Sequence, residues 1–203
     1  VKSVLVLTRA EAWQQTAIEA LRQAVEADGG SIATAVPADL ICPLTFNLPD
    51  VEFPGQAVFQ ACCDFDGMRD RVRKFDYGIG SGSHWLPIVH TAKGTLYGEV
   101  ITTVADAYQQ PLHLSDRLRQ PLYALGQILM RELAAPPSVY LLQFGLADHA
   151  VVFDRLWPFP AAPAIASIGV QLPNLYECHW KCLSHQAIVD LAIAGSADYK
   201  TVS

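Results

Sequence analysis

The chain has 203 residues, of which 51% are apolar and only 17% charged, with a formal net charge of −6 at neutral pH. Ordinary soluble domains carry about 25% charged residues, so the shortfall predicts a large core, a buried subunit interface, or both. The fourteen Lys and Arg form no basic run, which argues against nucleic acid, since that partner needs a clustered positive footprint.

Val4 to Leu7 is a continuous apolar run, the pattern of a buried strand. The N-terminal apolar stretch is too short for a signal peptide and lacks a small-residue cleavage pattern. Thr8 with Glu11 offers a capping box, and Trp13, Ala17, Leu21 and Ala24 then line a helix that Gly29-Gly30 stops. A strand over 31–36 completes a β-α-β opening, which favours a parallel pair. Residues 37–75 are broken by Pro37, Pro43, Pro49 and Pro54 and read as irregular, apart from a short helix near 66–74. Strands are predicted over 85–90 and 95–104, the first at an edge or bulge because of Pro87. Pro121 suits a first helical turn, so the second main helix is placed from about Gln120, with Leu122, Leu125, Leu129 and Leu133 inward. Strands over 139–144 and 150–153 form a second hairpin. The run from Leu156 to Tyr176 is uncharged and long enough to span a bilayer, but Pro158, Pro160, Pro163 and Pro173 interrupt it. A last helix is predicted over 184–194.

Residues 135–174 contain only three charged side chains, Asp148, Asp154 and Arg155. So poor a segment must be hidden under the rest of the fold or under a partner. Trp157 and Phe159 within it have the large rigid area of interface anchors.

Several groups of residues are candidates for chemistry. The link Gly78-Ile-Gly80-Ser81-Gly82-Ser83-His84 can converge backbone N–H groups on an anion, or simply be a bulged connection. It is not G-x-G-x-x-G, and no clear helix opens after it. Glu99 lies inside an apolar strand, pointing to solvent or into a cleft. Asp154-Arg155 interrupts the most apolar stretch, and strand neighbours face opposite ways, so one of them needs a buried partner. Asp64, Asp66 and Asp70 read as a cation cluster or as a capped turn. Cys178 and Cys182 share a helical face and, with Cys62-Cys63, make a weak candidate zinc set, against plain core packing. The odd count of five cysteines points to thiols rather than disulfides, and to a cytoplasmic address. No nucleophile elbow or Cys–His context is present.

Two outlines resemble known families. VLVLTR followed by an amphipathic helix is similar to the first β-α unit of uroporphyrinogen-III synthase, over about thirty residues. The C-terminal order of helix, strand, turn, strand and Pro-Phe-Pro is similar to the end of an ATP-grasp fold. That resemblance implies metal-binding Glu and Asn where this chain has Asp154, Arg155, Leu156 and Trp157, and a nucleotide-binding lysine segment that this chain lacks. Both are taken as coincidences of architecture, and no residues are carried over from either.

The sequence therefore predicts a single α/β or α+β domain over 1–203, with a mixed sheet of five or six strands and three main helices. The leading functional reading is association, through a homo-oligomer or a protein partner, using the 135–174 region. The alternatives are an enzyme or sensor for a small anionic or phosphorylated ligand near Gly78–His84, Glu99, Asp154 and Arg155, and a metal or thiol protein using Cys178 and Cys182. No cofactor can be named.

Overall fold

The computed structural model describes residues 2–194 and 200–202. A small parallel sheet has the order β2-β1-β3, from β1 (Ser3–Leu7), β2 (Ser31–Ala33) and β3 (Leu40–Pro43). The β-α-β opening is as predicted, but α1 (Ala12–Ala27) begins later than Thr8 suggests. Ala10 takes a φ of 58°, which turns the chain before the helix starts. Glu11 is the N-cap and closes its capping box with Gln14. The buried Gln14 Oε1 accepts from the amides of Arg9 (2.9 Å) and Glu11 (3.0 Å), and its Nε2 donates to the Leu44 carbonyl (2.9 Å). One side chain thus ties the β1–α1 turn to the segment after β3.

The stretch 37–75 is more regular than its prolines suggest. Besides β3 it holds α2 (Gln56–Cys63) and α3 (Phe65–Arg73). Gly55, at φ 95°, is the N-cap of α2, so that helix lacks the Ser, Thr, Asp or Asn start signal. Asp64 caps α3 by accepting from the Gly67 amide, which settles the acidic cluster as a helix start.

The main sheet contains β4 (Gly78–Ile79), β5 (His84–Thr91), β6 (Gly94–Tyr97), β7 (Val100–Val104), β8 (Ala107–Leu114), β9 (Ser138–Ala147) and β10 (Ala150–Trp157). A ribbon of β11 (Gln171–Leu172) and β12 (Ala192–Ile193) stands apart, and β13 (Lys200–Val202) returns to the main sheet. The order is β13-β8-β7-β5-β9-β10-β4, with β6 beside β5. The β13–β8 and β10–β4 pairs are parallel and the others antiparallel, so the sheet is mixed as expected, though with eight strands. Pro87 is not at an edge. It lies where β5 changes partner from β7 to β6, so no ladder amide is demanded of it, and its carbonyl accepts from Gly98 N. The turns Ala105-Asp106 and Asp148-His149 have positive φ at both central residues, as tight hairpins require.

Two helix predictions need correction. The second long helix, α4 (Asp116–Glu132), starts before Pro121 and carries it inside. Pro121 and Arg117 both face solvent, so the carbonyl left without its helical donor can meet water. The last helix, α5 (Leu175–Leu183), precedes the predicted 184–194 span. Its start is the Asn174–Glu177 capping box, and Ser184 is its C-cap.

One core joins α1, α5 and the small sheet to one face of the main sheet, and a second packs α2, α3 and α4 on the other face. Along β9, Val139 and Leu141 enter the first core and Tyr140, Leu142 and Phe144 the second. A strand covered on both faces has no place for charge, and this explains much of the composition of 135–174. Among the described residues no helix is long and apolar enough to cross a membrane.

Candidate functional site

A cleft of about 450 Å³ opens between the carboxyl ends of β1 and β3, the middle of β9 and the end of β10. Ligands of open parallel sheets bind at such strand ends, where loops diverge. The small sheet contributes Arg9 and Glu11 from the β1–α1 turn and Thr45, Phe46 and Asn47 from the loop after β3. The main sheet contributes Trp85, Tyr108, Gln143, Arg155 and Trp157. The walls are therefore aromatic, with a few polar groups placed among them, the usual make-up of a small-molecule site.

Two polar residues of the wall, Gln143 and Arg155, are held from behind by Asp154. The β9–β10 register shifts between Phe153 and Arg155, so Asp154 is an extra residue in its strand. Simple alternation, which would send Asp154 and Arg155 to opposite faces, does not hold at this bulge. Their charged groups approach within 3.6 Å, from Arg155 Nε to Asp154 Oδ1. The Asp154 side chain is 5% exposed, and both its oxygens are occupied. Oδ1 accepts from Arg69 of α3 at 2.7 Å, and Oδ2 accepts from Gly82 N and from Gln143 Nε2, both at 3.1 Å. Arg69 Nε also donates to the Asp154 carbonyl. Gln143 in turn donates to the Gly82 carbonyl and accepts from Trp157 Nε1.

Arg155 is held differently. Its guanidinium lies 4.7 Å from the centre of the Phe65 ring and 5.6 Å from that of Trp157. The buried Nε–H has no hydrogen-bond acceptor, and neither does the indole N–H of Trp85 on the same cleft.

No family model matches the sequence, and no curated protein is significantly similar to it. Solved structures do match. Glycinamide-RNase-transformylase T from Mycobacterium tuberculosis superposes with a TM-score of 0.74 at 15% identity, covering 95% of this chain and 82% of that one. The fold is ATP-grasp-like. N5-carboxyaminoimidazole ribonucleotide synthetase from Thermotoga maritima gives 0.76 at 7% identity, covering 94% and 78%. A purK synthetase described as an ADP complex gives 0.74 at 9% identity, covering 95% and 79%. At these identities the likeness is one of fold. It corrects the treatment of the ATP-grasp outline as coincidence.

The sequence candidates are partly brought together. Gly82, Asp154 and Arg155 come together beside the cleft, and of these Arg155 lines it. Gly80 and Gly82 spend their amides on the Phe153 carbonyl and the Asp154 carboxylate, while Ser81 and Ser83 face solvent. An added Cβ at Gly82 would overlap the Phe144 carbonyl, and at Gly78 or Gly80 it would press on Val152. These glycines permit close strand packing. His84 lies outside the cleft lining, bonded to Thr102, and burial lowers its pKa. Glu99 sits between β6 and β7 and pairs with His113 at 3.1 Å, away from the cleft lining.

The association anchors pack within the chain. Phe159 is 2% exposed, and Trp157 lines the cleft; both pack around Phe46, with ring centroids 5.2 and 5.5 Å from it. Their area is used within the chain. The cysteine set does not assemble. Cys62, Cys178 and Cys182 are buried, Cys63 is exposed, and all are free thiols. Burial pushes the Cys62 and Cys182 thiols up to about 12, away from the thiolate a metal needs. Among the described residues no group of three or more His, Cys, Asp or Glu is placed to hold a metal ion.

The residues that sequence reading missed are Arg9, Trp85 and Gln143. Arg9 had a usable signal, a cation directly after the first parallel strand. Gln143 and Trp85 had none, because each looks like an ordinary strand residue until the bulge at Asp154 and the cleft give it a neighbour.

Proposed function

We propose that this chain recognises a small anionic ligand, phosphorylated or carboxylated and carrying a flat ring, in the cleft between β1, β3, β9 and β10. The observation that carries this reading is Arg155. A guanidinium stacked on Phe65 and Trp157, on a side chain 31% exposed, stands at the wall of an aromatic cleft. Guanidinium groups suit carboxylate and phosphate oxygens in two-pronged geometry. Arg9 adds a second cation to the cleft lining. The volume is in the range of ordinary ligand pockets, about 300–1,000 Å³. Solved neighbours described as ADP and ATP complexes lend support at the level of the fold. In this reading the anion meets Arg155 on the cleft wall rather than the Gly78–His84 link, with Asp154 and Gly82 as the scaffold behind it.

A thermal-shift series with AMP, ADP, ribose 5-phosphate, succinate and citrate tests this. A ligand present at a hundredfold its Kd stabilises the folded state by about 2.7 kcal/mol. In a chain of this size that raises Tm by roughly 5–10 °C. At least one member should do so, and Arg155→Ala should remove the shift. A series without any shift would sink the reading.

A further inference from the structure

The ATP-grasp outline implies a divalent cation held by acidic side chains at the end of the last long strand, and the residues at that place do not fit one. The three side chains that meet there are Gln143, Asp154 and Arg155. Gln143 is an amide whose Nε2 donates to Gly82 O and Asp154 Oδ2, at 2.6 and 3.1 Å, so its acceptor oxygen is directed elsewhere, to Trp157 Nε1. Asp154 is a carboxylate, but Arg69, Gly82 N and Gln143 already occupy both its oxygens. Arg155 places a full positive charge 3.6 Å from the same carboxylate. A divalent ion needs several oxygen ligands, and here it would meet one spent carboxylate and a permanent cation.

We infer that Arg155 is the resident cation of this site, so that the cleft takes the anionic group of its ligand directly on the guanidinium and without a divalent metal. This rests on the cleft reading above and goes beyond it, because it fixes the form in which the ligand binds. The stacking of Arg155 on Phe65 and Trp157 fixes its position before a ligand arrives. Asp154 neutralises it only in part, since Asp154 also answers Arg69. A phosphate group complexed to Mg²⁺ carries less negative charge than the free group, so magnesium should weaken binding here.

Two measurements test the inference. The first uses Mn²⁺ alone, titrated into the protein and followed by the electron paramagnetic resonance signal of the free ion. The wild type should leave that signal undiminished, and Q143E/R155E, which places three carboxylates at this point, should take up one ion. Stoichiometric uptake by the wild type that Asp154→Asn removes would overturn the inference, and this measurement needs neither a ligand nor a folded variant for its main result. The second is calorimetric titration of ADP in EDTA and in excess MgCl₂. Tighter binding in EDTA, by threefold or more, with at least a tenfold loss in Arg155→Ala, is the expected result. Binding that requires Mg²⁺ would overturn the inference and leave the cleft reading standing. Absence of ADP binding in both buffers would count against the cleft reading, and the Mn²⁺ result would then decide this one.

Discussion

His179 lies on α5 against the start of β9, fully inside the first core. Its Nδ1 accepts from the Val139 amide and meets Ser138 Oγ, both at 3.3 Å, while its Nε2 is buried without a partner. Burial drives its pKa down to about 3, so the ring is neutral in the folded chain. The unfolded chain binds a proton at this residue below about pH 6.5, whereas the folded chain refuses it until about pH 3. Stability from this group is therefore complete above pH 6.5 and falls as the pH drops, by at most about 1.4 kcal/mol per unit. Burial lowers the pKa of His84 and His90 as well, which adds to the same slope. Denaturant unfolding at pH 7 and pH 5 should show the wild type losing on the order of 1–2 kcal/mol through His179. His179→Asn, which keeps an acceptor for Val139, should be less stable at pH 7 but lose less on acidification. Equal losses in the two proteins would show that the acid sensitivity comes from other groups.

At the scale of elements, the link between α3 and β5 shows how the same residues support two readings. Three alternating glycines suit an anion-binding loop, yet here each lies against a strand. Gly82 is the decisive one, because a Cβ there would overlap the backbone of Phe144, which cannot rotate away. Gly80 meets only the Val152 side chain, at 2.9 Å. Gly82→Ala should thus cost more than about 3 kcal/mol or prevent folding, and Gly80→Ala about 1–2 kcal/mol, since overpacking of a flexible neighbour is cheaper. Circular dichroism melts of the two variants give the comparison. If Gly82→Ala melts like the wild type, the loop is mobile and the packing account fails. This contrast also marks what could be read from sequence. The β-α-β opening, the β9–β10 hairpin, the leucine face of α4 and the mixed sheet were legible, because each rests on local periodicity or a turn. β8 was not, because Gln109, Gln110 and Pro111 lack the alternation of a half-buried strand, and α2 was not, because it starts on Gly55. The cleft was half legible. Asp154 and Arg155 announced themselves as charges in an apolar stretch, but the bulge that puts them together leaves no mark in composition, and Arg9, 146 positions before Arg155, lines the same cleft only through the topology.

For the whole molecule, a net charge of −6 opposes the approach of any anion, so the cleft must act through its own cations. These differ in exposure. Arg9 is exposed at the opening, and the Arg155 side chain is 31% exposed, flanked by Phe65 and Trp157. Salt screens charges over about 10 Å at 0.1 M but acts weakly on partly buried contacts. An exposed ion pair contributes up to about 1 kcal/mol, or roughly fivefold in affinity. Raising NaCl from 0.05 to 0.5 M should therefore weaken binding of an anion such as ADP by about fivefold in the wild type. Arg9→Ala should show that loss already at low salt and then change little as salt is added, because what remains is the shielded contact with Arg155. Calorimetric titration of both proteins at the two salt concentrations separates the roles. If Arg9→Ala keeps the full salt dependence of the wild type, the attraction at the opening comes from another part of the surface, and Arg9 has no part in recognition.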